Sequence, residues 1–138
     1  YLESKKSLFK NLDDENIDFF FFHSTIPHPP YIFDSKNNKL GEFNDNNLSY
    51  LDNLILSDIF LGDLIDHLKK KGIFDSSLII IHGDTGIGEI ARLSNLDERV
   101  GSTPLLIKKP YQLKSKKIDK IIYSYDLKKE TKTYINND

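Results

Sequence analysis

Cysteine, methionine and tryptophan are absent from the 138 residues of the chain. Without a thiol, neither a disulfide framework nor a thiolate metal site can form, and no redox compartment is favoured over another. No apolar run approaches the roughly 20 residues that a bilayer-spanning helix needs, and no signal-peptide pattern is present. Charge of one sign is missing too. The 21 acidic and 19 basic side chains leave a net charge of −2, which gives no electrostatic reason to expect nucleic acid as a partner. The chain opens on Tyr1 rather than methionine. It is therefore expected to be a piece of a longer protein, and says nothing about membrane segments elsewhere in that protein.

What is present fits a folded domain. Apolar residues make up 38% and charged residues 29%, a globular balance, and residues 1–138 are read as a single domain with a real core. The lysine clusters at 69–71, 108–109 and 114–117 read as solvated helix ends or loops. Proline and glycine are few, but both are concentrated. Pro27, Pro29 and Pro30 interrupt one stretch, and Gly83, Gly86 and Gly88 punctuate another.

The periodicity predicts a short amphipathic helix over 2–12 and a much longer one over about 47–71. On the longer helix Leu51, Leu54, Ile55, Leu61, Leu64, Ile65 and Leu68 recur at three- and four-residue steps. Gly72 is its expected stop. Residues 18–24 (DFFFFHS) are apolar on both faces and read as a central strand of a parallel sheet. Further strands are expected at 77–82, 103–108 and 118–123, with a closing helix over about 124–135. Strand, long helix and strand in that order predict an α/β fold, mostly parallel, with a right-handed βαβ crossover. Ligands of such sheets sit beyond the carboxyl ends of the strands, so His23 and His28 would share an edge with Asp84.

The stretch 77–89 (SLIIIHGDTGIGE) admits three readings. A plain strand-ending turn is the blandest. A phosphate cradle has the right glycine spacing from Gly83 to Gly88. It then needs Lys and Ser/Thr, and the chain supplies Glu89 and Ile90. The third reading places Asp84 on a metal. It rests on the order of several short motifs: Pro27-His28-Pro29-Pro30, Asp58-Ile59-Phe60-Leu61-Gly62, Phe74-Asp75-Ser76-Ser77-Leu78-Ile79-Ile80, Gly83-Asp84-Thr85-Gly86 and Thr103-Pro104-Leu105-Leu106-Ile107. In this order they resemble the C-terminal half of the sulfatase family, within the alkaline-phosphatase superfamily that also holds phosphoglycerol and phosphoethanolamine transferases. The resemblance covers about residues 17–110.

That resemblance implies a partial alkaline-phosphatase-like fold and a metal-dependent hydrolase or transferase of sulfate or phosphate esters, with lipid or glycan substrates. It also implies an extracytoplasmic, membrane-attached parent. Asp84 would be a metal ligand, as an anionic oxygen suits a hard dication. His28 would face the sulfate or phosphate and, as imidazolium, stabilise developing charge or protonate a leaving group. His23 is a weaker candidate for substrate binding, against the plainer reading of a strand-end histidine bonded to backbone. His82 reads as structural and His67 as solvated. Two departures limit the analogy. Thr85 stands where the family usually carries His, which disfavours zinc and leaves calcium or manganese, or no ion. The family's nucleophile and first metal-binding acids lie N-terminal to every motif quoted. The chain would then lack the other half of its own domain and show no turnover alone. The alternative is a non-catalytic α/β module for binding or assembly, and a nucleotide site at the glycine loop is a third expectation.

Overall fold

The computed structural model describes residues 1–41, 48–84, 103–118 and 132. The chain divides into two compact units, Tyr1–Phe74 and Asp75–Asp138.

In the first unit, α1 spans Leu2–Leu12 and α2 spans Tyr50–Lys70, both close to the sequence expectation. α2 starts where Ser49 takes an extended conformation and forms a reciprocal capping box with Asp52. The Ser49 hydroxyl accepts from the Asp52 N–H, and the Asp52 carboxylate accepts from the Ser49 N–H at 2.9 Å. Two otherwise orphaned N–H groups of the first turn are thereby satisfied. At the far end Gly72 adopts φ +73, the left-handed turn that glycine supplies at a helix C-terminus, and the N–H groups of Ile73 and Phe74 return to the Leu68 carbonyl.

Between the helices lies a small hairpin, with β1 (Phe33–Asp34) antiparallel to β2 (Lys39–Leu40). Its turn is stabilised by Asp34, whose carboxylate accepts from the Asn37 N–H and side-chain amide, and by Asn38 at φ +49, a conformation that Asn tolerates. The core consists of Leu8, Phe33, Leu48, Leu56, Phe60 and Leu68. Phe60 is its centre of aromatic packing, met edge-on by Tyr1 at 6.4 Å and stacked by Phe22 at 5.6 Å. Asp13, just past α1, ties the two helices together by accepting from His67 and Lys71, each at 2.9 Å.

In the second unit, β3 (Ile79–His82) pairs with β4 (Leu105–Lys108) in antiparallel register, from Ile79 opposite Lys108 to His82 opposite Leu105.

The predicted mostly parallel sheet with its βαβ crossover is therefore overturned. Among the described residues there are two helices and two small antiparallel two-stranded sheets, with no parallel pair and no crossover. The failure begins at residues 18–24. Phe22 packs on Phe60, but the segment forms no strand and joins no ladder, and Phe19 and Phe21 are exposed. An apolar run establishes neither its burial nor which strand is its neighbour. Without that first strand there is nothing for a crossover to return to. The strand predicted over 118–123 lies outside the described residues except for Ile118, and the helix over 124–135 except for Lys132.

Candidate functional site

The proline-rich turn is the most constrained loop of the first unit. Peptides Ile26–Pro27 and Pro29–Pro30 are cis, and the His28 N–H donates to the Thr25 carbonyl at 2.9 Å. Its anchor is Asn53 on α2, the one fully buried polar side chain among the described residues. Asn53 Oδ1 accepts from the Ile32 N–H at 2.9 Å. Its Nδ2 faces the carbonyls of His28 at 3.2 Å, Pro30 at 3.3 Å and Pro27 at 3.4 Å. An amide nitrogen has two hydrogens, so three carbonyls share them. Prolines contribute no N–H, which leaves this turn rich in acceptors, and one amide from the neighbouring helix supplies the missing donors.

The clamp holds the backbone of His28 while its side chain stays exposed. The imidazole Nδ1 lies 3.1 Å from the Pro29 carbonyl. A carbonyl only accepts, so Nδ1 carries the proton and Nε2 is the nitrogen open to a ligand. His23, on the segment ahead of the turn, is also exposed. The sequence reading did not identify Asn53. A signal existed: a residue of poor helix propensity stands in the first turn of α2 among leucines.

Next to the clamp, Asp52 closes a second polar knot. The carboxylate accepts from the Ser35 hydroxyl and from the hydroxyl and N–H of Ser49. These bonds, Ser35 first and Ser49 second, hold its carboxyl down at about 2, against an ordinary 3.8.

Asp84 belongs to the second unit, exposed just past β3. The preceding Gly83 has a packing reason. A Cβ there would lie 2.8 Å from Cβ of Thr103, and the Thr103 hydroxyl donates to the Gly83 carbonyl at 2.9 Å. The His82 Nδ1 lies 3.1 Å from that same carbonyl, the structural role expected of it. His67 is half-buried, stacked on Phe9 at 4.7 Å and bonded to Asp13. It is not the solvated side chain expected from sequence. Thr85, Gly86 and Gly88 lie outside the described residues.

Asp84 alone offers two carboxylate oxygens where calcium takes about six to eight. No group of three His, Cys, Asp or Glu side chains able to hold an ion occurs among the described residues. By themselves these donors do not fit a divalent metal. No described helix is long and apolar enough to cross a membrane.

No family model, no curated protein and no solved structure matches this chain.

Proposed function

We propose that the chain carries the proline-loop half of a sulfate- or phosphate-ester site of the sulfatase-like kind, and that it does not turn over substrate alone. The observation that carries this reading is the Asn53 clamp. A buried amide directs its donor hydrogens and an acceptor to the turn around an exposed histidine. Such a turn fixes the direction of the imidazole before a ligand arrives, which reduces the ordering cost of binding. As imidazolium, His28 would donate from Nε2 to an anionic ester oxygen, a charge-assisted hydrogen bond. His23 would be an auxiliary contact. The nucleophile would come from the rest of a longer parent protein, with a lipid or glycan ester as substrate and an extracytoplasmic location. A calcium or manganese ion expected at Asp84 and Thr85 would need its remaining oxygen donors from the parent protein, because the described residues alone do not hold one.

The test is an NMR titration of the His28 ring with inorganic sulfate and phosphate. The expected result is a saturable shift of the His28 resonances that is absent in His28→Gln. Unmoved His28 resonances at millimolar anion overturn the reading, and so does nitrophenol release from nitrophenyl sulfate or phosphate by the isolated chain. Calorimetry checks the metal element. Any heat of calcium or manganese binding should disappear in Asp84→Ala, and heat that survives the substitution removes that element.

A further inference from the structure

We propose that residues 109–117 of the second unit form a docking element for an anionic lipid bilayer. Tyr111 and Leu113 would enter the headgroup region, and Lys114, Lys116 and Lys117 would face lipid phosphates. The proposal is independent of the ester-site reading.

Single exposed apolar residues are ordinary, so exposure alone decides nothing. Here Leu113 is 96% exposed and Tyr111 72% exposed, on a loop that is held in shape. The Gln112 side chain accepts from the Lys109 N–H and donates to the Lys114 carbonyl, each at 2.9 Å. The Tyr111 N–H donates to the Asp75 carbonyl at 2.6 Å. Tyr111 itself sits at φ +54, a left-handed conformation disfavoured for a bulky residue. Bonds on both sides of the two apolar side chains thus fix the loop while those side chains project into water.

Along this stretch the charge has one sign, the neighbouring acid being Asp75, whose carbonyl holds the loop. Residues 103–118 contain no Asp or Glu. Lys108 is engaged, donating to the carbonyls of Asp75 and Ser77 at 2.7 and 3.0 Å. Lys114, Lys116 and Lys117 are exposed and make no ion pair with a described residue. An apolar tip beside unpaired lysines matches an interface with an apolar interior below an anionic layer. An acidic protein or RNA would engage the lysines equally well. A leucine and a tyrosine held in solvent beside them favour the bilayer, where an apolar interior lies directly below the anionic layer.

The test is cosedimentation of the intact chain with phosphatidylcholine vesicles, with and without phosphatidylglycerol, at low and high salt. Binding is expected only to the anionic vesicles, and weaker at high salt. Replacing Lys114, Lys116 and Lys117 together by Gln should lower the partition coefficient on the order of 100-fold. Leu113→Ser, at unchanged charge, should lower it roughly tenfold. Lys36→Gln with Lys39→Gln, exposed lysines of the first unit, should retain binding. Failure to sediment with anionic vesicles overturns the proposal. A Leu113→Ser chain that binds like wild type assigns the lysines to a generic acidic partner, and equal loss from the Lys36/Lys39 pair assigns binding to overall charge. Either result overturns it as well.

Discussion

Asn53 is one residue with consequences for a whole loop. Removing its fully buried side chain leaves the Ile32 N–H without that acceptor and three proline-turn carbonyls without that donor. Buried groups left unsatisfied cost more than the bonds contribute when made. Asn53→Ala should therefore destabilise the protein by about 2–4 kcal/mol, against about 1 kcal/mol for Ser49→Ala at the helix cap. Urea denaturation of both variants checks the order. A smaller loss for Asn53→Ala than for Ser49→Ala would mean that the clamp is solvated. Asp52 sets a pH dependence. Its carboxyl titrates lower in the folded protein, at about 2, than the ordinary 3.8. The unfolded chain therefore takes up the proton first as pH falls, and stability present above about pH 4 is lost toward pH 2. Urea midpoints across that range should fall less steeply for Asp52→Asn than for wild type. An unchanged slope would assign the acid loss to Asp13, Asp14 and Asp34, whose carboxyls are also lowered by hydrogen-bonding partners. Little of the site beyond His28 was legible in the sequence. The proline turn announces its own rigidity, but the amide that satisfies it comes from another element, and no local pattern encodes that pairing.

α2 shows why periodicity found the helix but not its buried face. At roughly 100° per residue, Leu51, Leu54 and Ile55 fall on one side, and Asn53, Leu56 and Phe60 on the other. The second side is the buried one, while Leu51 is 66% exposed. The helix is apolar nearly all round, so a three- and four-residue count finds a stripe wherever it starts. Caps are more local than faces. Gly72 acts within a turn of itself, which is why the C-terminal end was readable. Ser49 and Asp52 are as local, but the start expected at about 47 rests on periodicity and falls before their capping box. Strand pairing is the least local feature, and there the reading failed. The Phe19–Phe22 run joins no ladder, Phe19 and Phe21 are 82% and 75% exposed, and β3 pairs with the antiparallel β4. Truncation separates the two sides of α2. Leu56→Ala should cost about 2–5 kcal/mol, as buried leucines do, and Leu51→Ala should stay within about 0.5 kcal/mol. Equal losses in thermal or urea unfolding would mean that both sides of α2 are covered in solution.

At the scale of the molecule, the buried hydrophobic side chains among the described residues all lie between Leu8 and Leu68, inside the unit Tyr1–Phe74. That unit also contains both described helices, the hairpin, the Asn53 clamp and the Asp13 link between helix ends. None of these contacts draws on a residue after Phe74, which predicts that the unit folds by itself. Its size sets the ceiling. A core in a segment below about 80 residues rarely supplies more than roughly 3–5 kcal/mol, and the chain has no disulfide to add to it. A protein of residues 1–74 should therefore keep the helical circular dichroism of α1 and α2 and unfold cooperatively in urea, with a stability of at most about 5 kcal/mol. Asn53→Ala, costing much of that margin, should leave the shortened protein largely unfolded while Leu51→Ala leaves it intact. Loss of helical signal in the unsubstituted 1–74 protein would show that the unit depends on residues beyond Phe74. The proline turn and its histidine would then have to be studied only in the full chain.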